Sequence, residues 1–90
     1  MGEDPWTQHA SHPAIVKRLK RAEGHLRAII SMFENSRSCL DLAQQLHAVE
    51  SAVSNAKHEL IHDHIEHCIN DGSLNPKAAL KELKALTKYL

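Results

Sequence analysis

The sequence predicts an all-α fold with three helices per chain. Through two long stretches the apolar residues recur at alternating steps of four and three, the stripe of an amphipathic helix that packs on other helices. The longer stretch, residues 39–70 (CLDLAQQLHAVESAVSNAKHELIHDHIEHCIN), holds neither Gly nor Pro. No segment shows the strict apolar–polar alternation of a half-buried strand. Only Trp6, Phe33 and Tyr89 are aromatic, so Leu, Ile, Val and Ala must fill the core.

Residues 1–12 (MGEDPWTQHASH) carry no apolar period and read as a flexible, histidine-containing tail. The single helical domain then spans 13–90. Its first helix starts around Ser11 to Pro13, where Ser11 or His12 can cap and Pro13 suits a position whose N–H needs no partner. Ile15, Leu19, Ala22, Leu26, Ile29 and Phe33 form its stripe, and it ends near Glu34. Gly24 lies inside it at some energetic cost, which points to close approach of another backbone. The short link NSRS makes the next helix an antiparallel neighbour.

The second helix is residues 39–70, with Leu42, Leu46, Val49, Val53, Ala56 and Leu60 as its stripe. NDGSLNP then breaks the chain. Gly72 suits a left-handed cap and Asn75-Pro76 a new helix start. Residues 77–90 form the third helix, with Leu80, Leu83, Leu86 and Leu90 on one side.

Ninety residues build one small domain with a thin core, and such a domain commonly gains stability by associating. No stretch approaches the roughly 20 apolar residues of a membrane span and no signal peptide is visible, so the expected location is the cytoplasm, away from membrane. In a reducing compartment two cysteines read as thiolate ligands or reactive thiols rather than a disulfide. The net charge is zero but unevenly spread. Lys17, Arg18, Lys20, Arg21 and Arg27 outweigh Glu23 and Glu34 in residues 13–34, a local excess of +3. The compact KRLKR cluster could neutralise DNA phosphates, although a basic run on a helix is also the ordinary make-up of a solvated face.

Cys39, His64 and Cys68 are the donors of interest. His64 and Cys68 are four apart, one turn from each other on one helical face, and can chelate one metal ion. Cys39 precedes His64 by 25 positions, roughly 37 Å along a continuous helix at about 1.5 Å per residue. Provided the helix is unbroken, it cannot join them within its own helix. Two copies packed antiparallel would bring Cys39 of one protomer to His64 and Cys68 of its partner, and two-fold symmetry would make two such sites. Two thiolates and an imidazole suit Cu(I) in a three-coordinate site, or Ni(II), Co(II) or Zn(II) with a fourth ligand. A bundle with inert cysteines has the same apolar pattern. A Cys–His nucleophilic dyad would need a third orienting group, an oxyanion loop and a pocket. The sequence offers none, so an enzyme is not expected.

The segments RLKRAEGHLRAIISMFE, SRSCLDLAQQL and DHIEHC closely resemble the CsoR/RcnR family of bacterial metal-sensing repressors, over residues 12 to 90. Cys39, His64 and Cys68 match its cysteine–histidine–cysteine signature position for position. The resemblance implies an antiparallel four-helix bundle dimer with the third helices outside, assembling to a homotetramer. It also implies an apo form that holds double-stranded operator DNA and lets go when metal binds. Lys17, Arg18, Lys20 and Arg21 match the family's basic DNA face, and Glu82 matches a carboxylate linked to the ligand histidine. Ser38 stands where copper sensors have tyrosine, and Asn55 where some members have a DNA-contacting arginine. Nickel and cobalt sensors recruit an N-terminal histidine; Thr7 is at that position, with His9 two residues on. The tail QHASHP followed by IVKRLKRAEGHL is more similar to the nickel- and cobalt-responsive members that control cation efflux. Ni(II) or Co(II) is therefore the expected inducer, with Cu(I) the alternative. A thiol- or aldehyde-reactive sensor and a metal-storage bundle without a DNA role are the remaining rivals.

Overall fold

The computed structural model describes residues 12–70 and 75–90, with side chains for 12–67 and 75–90. The described residues form three helices: α1 (His12–Glu34), α2 (Cys39–Asn70) and α3 (Pro76–Leu86), followed by a 3₁₀ turn at Thr87–Tyr89. The all-α, three-helix expectation is met.

Helix α1 begins at His12, one residue before the expected first position at Pro13. Its C-terminus closes on a Schellman motif. The Arg37 N–H donates to the Met32 carbonyl (3.3 Å), the Ser36 N–H to the Phe33 carbonyl (3.4 Å), and Ser36 takes φ 56°. That left-handed position favours glycine, because a Cβ crowds the following carbonyl oxygen. Asn35 also donates through Nδ2 to the Ser31 carbonyl at 2.8 Å, satisfying one of the helix's last acceptors. Helix α2 opens on a cap. The Asp41 N–H donates to Ser38 Oγ at 3.1 Å, and the first intrahelical bond runs to the Ser38 carbonyl. Such a cap contributes ~1 kcal/mol. Helix α2 is unbroken over its 32 residues. For α3, Asn75 Oδ1 accepts from the Lys77 N–H at 2.9 Å, with Pro76 just inside the helix. The third helix was expected to run to residue 90. It instead ends at Leu86 and tightens into the 3₁₀ turn, with Thr87 Oγ1 donating to the Lys84 carbonyl at 2.6 Å. Gly72 lies outside the described residues.

Helices α1 and α2 pair antiparallel. Arg18 meets Glu59 and His25 meets Gln45, so numbers rise on one helix as they fall on the other. Ile15, Ala22 and Ile29 on α1, with Leu42, Ala56 and Ile61 on α2, are buried. Ile61 is outside the expected stripe, yet it is 2% exposed while Leu60 is 39% exposed. The flank of α2 carrying Gln45, Ala52 and Glu59 faces α1. The row one residue further round, Leu46, Val53 and Leu60, is left open, as are Leu19, Leu26 and Phe33 on α1. The protomer measures 55 × 29 × 14 Å, little thicker than one helix with its side chains, so it cannot enclose both faces of its own stripes. Nothing lies within 4 Å of a Cβ built on Gly24. Among the described residues of the protomer no backbone therefore approaches Gly24 closely, and the glycine faces open space.

Candidate functional site

Helix α2 carries the donor residues to its two ends. Cys39 is its first residue and is exposed with a free thiol. His64 lies near the other end and is 6% exposed, the one buried polar side chain among the described residues. Because the helix is continuous, the two stand roughly 37 Å apart at about 1.5 Å per residue. Cys68 is on α2 one turn beyond His64, and its side chain lies outside the described residues. His9 also lies outside them. Among the described residues no group of three His, Cys, Asp or Glu side chains converges as a metal site. A single protomer thus does not bring Cys39 to His64, as the length of α2 requires.

Beside His64 stands a carboxylate from another helix. His64 Nε2 is 3.7 Å from Glu82 Oε1 on α3. That is longer than a hydrogen bond but close enough for an electrostatic contact, and a small rotation of the half-exposed Glu82 would close it. The pair spans α2 and α3, so the surroundings of His64 depend on where α3 lies.

Lys17, Arg18, Lys20 and Arg21 are all exposed and spread over one arc of α1. Lys17 and Lys20 border a shallow depression with Pro13, Ala14 and Val16. Arg18 and Arg21 turn towards α2 instead. With Ala22, His25, Ala52 and Asn55 they line a cleft of about 320 Å³. Arg18 Nη1 is 2.7 Å from Glu59 Oε2. At the cleft's far end His25 Nε2 and Gln45 Oε1 are 2.6 Å apart, which holds the two helices in register. Sequence reasoning passed over Glu59 and Gln45. Their signal was the seven-residue spacing of Gln45, Ala52 and Glu59, a row adjacent to the apolar one.

The family described as metal-sensitive transcriptional repressors matches residues 11–89. The chain belongs to that family. The resemblance to the CsoR/RcnR repressors is thereby established, and the protein is a metal-sensing transcriptional repressor rather than an enzyme. The copper-sensing transcriptional repressor CsoR of Bacillus subtilis (strain 168) is 42% identical over 71 residues, 77% of this chain and 70% of that protein. The copper-sensing transcriptional repressor CsoR of Mycobacterium ulcerans (strain Agy99) is 38% identical over 78 residues, 84% of this chain and 67% of that one. The copper-sensing transcriptional repressor RicR of Mycobacterium tuberculosis (strain ATCC 25618 / H37Rv) is 40% identical over 53 residues, 59% of this chain and 55% of its own. For a metal-sensitive repressor the two features of interest are a metal-binding donor set and a DNA-facing basic surface. No helix among the described residues is long and apolar enough to cross a membrane.

Proposed function

We propose that this repressor holds operator DNA in its apo form and releases it when Ni(II) or Co(II) binds, derepressing efflux genes. The observation that carries the reading is His64, buried on an unbroken α2 beside a carboxylate of α3 and remote from Cys39. Protomers pair through the open rows of α1 and α2 into an antiparallel four-helix dimer, and dimers pair into a tetramer. Cys39 of one protomer then joins His64 and Cys68 of its partner as metal ligands. His9 is the proposed additional ligand, giving the fourth position that Ni(II) or Co(II) requires. Lys17, Arg18, Lys20 and Arg21 face the DNA.

Glu82 supplies the link between the sites. Nε2 of His64 is the ring nitrogen that faces Glu82. A change in the ring's charge or orientation then reaches α3 through the carboxylate. Linkage requires that loading the site weaken DNA binding by the same factor by which DNA weakens metal binding, with typical coupling of ~1–3 kcal/mol.

Cu(I) is the second reading, favoured by the copper-sensing function of the relatives above. Two thiolates and one imidazole satisfy Cu(I) without a fourth ligand. The deciding experiment is an absorption titration of the reduced apo-protein with each ion, followed by release of DNA from upstream of its own coding sequence. Thiolate charge-transfer bands and release with Ni(II) or Co(II) support the proposal; release by Cu(I) alone replaces it with the copper reading. Cys39→Ala should keep repression and lose induction. A C39A protein that still releases DNA on metal addition removes Cys39 from the site.

A further inference from the structure

The Arg18–Glu59 ion pair sits at the mouth of the α1/α2 cleft. We propose that Glu59 is a built-in competitor for DNA, occupying Arg18 in the free protein where a phosphodiester of the duplex takes its place in the complex. The proposal rests on the reading of Arg18 as a DNA contact.

Three features of the pair support it. First, Arg18 Nη1 lies 2.7 Å from Glu59 Oε2, a close ion pair, yet that oxygen accepts no hydrogen bond, so Glu59 holds the arginine by charge without the aligned geometry that would make the pair strong. Second, the pair is only partly shielded, with side chains 52% and 32% exposed. Ion pairs open to solvent contribute little, so an incoming anion can replace the carboxylate. A phosphate offers the planar guanidinium the same two-oxygen face. Third, the cleft beside the pair is lined by Arg21, His25 and Asn55, all potential donors, in about 320 Å³ open to the surface. Lys17 and Lys20 continue the positive surface round α1. That extended basic face favours a duplex backbone over a small free anion.

The exchange has an ionic signature. A phosphate contact normally releases about one condensed cation. If Glu59 is displaced in the same step, its freed carboxylate takes up a cation and offsets that release. Duplex affinity is then lowered and the contribution of Arg18 to the salt slope is muted.

The test uses full-length apo-protein and a fluorescent mixed-sequence DNA duplex, since a phosphate contact is independent of base sequence. Affinity is measured over a range of salt for wild type, Glu59→Gln, Glu59→Asp, Arg18→Ala and the double variant R18A/E59Q. Glu59→Gln should bind roughly fivefold tighter, which is ~1 kcal/mol and the upper end for such a pair. Its plot of log affinity against log salt should steepen by up to about 0.9. Glu59→Asp keeps the charge and should stay near wild type. In the R18A background the glutamine should bring no gain, because its effect passes through Arg18. Unaltered helicity and melting show that the fold is intact, and Glu59→Ser is a second neutral variant should the glutamine fold poorly. Weaker binding by R18A with no tightening by either neutral variant overturns the competitor role and leaves the DNA reading of Arg18 standing. An equal gain with and without Arg18 also overturns it, making Glu59 a general repulsive charge. If R18A changes nothing in either background, both the competitor role and the DNA contact fall.

Discussion

Val53→Asp tests the pairing of protomers most directly. Val53 is 46% exposed, in the middle of the open row between Leu46 and Leu60. Within one protomer the substitution meets water, so α2 should remain helical. Across a symmetric interface it would be buried twice. Each aspartate forfeits about half of a valine's burial, ~1 kcal/mol, and adds a desolvated carboxylate costing several kcal/mol more. Two per pair weaken association by ~5 kcal/mol or more, over a thousandfold in dissociation constant. Sedimentation equilibrium across a range of concentrations measures this. Ser51→Asp adds the same charge at an exposed site on the opposite side of α2 and should change association little. A V53D protein that associates as strongly as wild type would refute the assignment of these rows to the interface. So would a wild-type protein that stays monomeric at high concentration.

Glu82→Gln should lower metal affinity about tenfold, the lower end for a partner of a ligand histidine, because Glu82 is half-exposed and 3.7 Å from the ring. The ratio of apo to metal-loaded DNA affinity should shrink with it, and binding titrations that find the ratio intact would take Glu82 out of the coupling. Ser36→Gly should stabilise the protein by ~0.5–1 kcal/mol, since relief at φ 56° exceeds the added freedom of the unfolded chain. Chemical denaturation reads it, and a loss of stability would contradict the left-handed cap. Gly24→Ala should add ~1 kcal/mol of helix stability per protomer, because a Cβ there meets open space. A destabilised G24A would instead show that a partner's backbone packs on that face.

Local structure was readable from the sequence to within a residue or two. Helix α2 runs over the expected 39–70, and Asn75-Pro76 starts α3 as its capping chemistry requires. These features depend on neighbours in the chain, which is what spacing and capping residues encode. Three details lay beyond that range. Ser36 adopts a conformation that its residue type disfavours, so no turn signal marked it. The end of α3 at Leu86 is set by a serine-like back-bond from Thr87, while the leucine period continues past it to Leu90. Ile61 is buried although it is off the stripe, on the side of α2 near His64 where α3 approaches rather than on the flank that meets α1. A periodicity argument shows that a face is apolar and cannot say whether its own chain or another covers it. The same limit hid Glu59, whose meaning comes only from Arg18, 41 positions away in sequence but 2.7 Å away in space.

The length of α2 makes the proposed metal site a property of the assembly. A chelate within one chain would bind metal whatever its state of association. Donors held roughly 37 Å apart by an unbroken helix cannot do so, and full coordination requires a partner. Metal that binds the pair and not the separate protomers stabilises the pair, by ~2.7 kcal/mol per site at a hundredfold excess over the dissociation constant. V53D should therefore lose the complete donor set along with the interface, and C39A should lose the metal while keeping the interface. The proposed DNA face obeys a different rule. The cleft that Arg18 and Arg21 line is formed by α1 and α2 of one protomer. Association multiplies that face without building it. A monomeric V53D protein should thus keep weak, salt-sensitive duplex binding and show no response to metal, a separation of the two functions that a single-chain metal site would not allow.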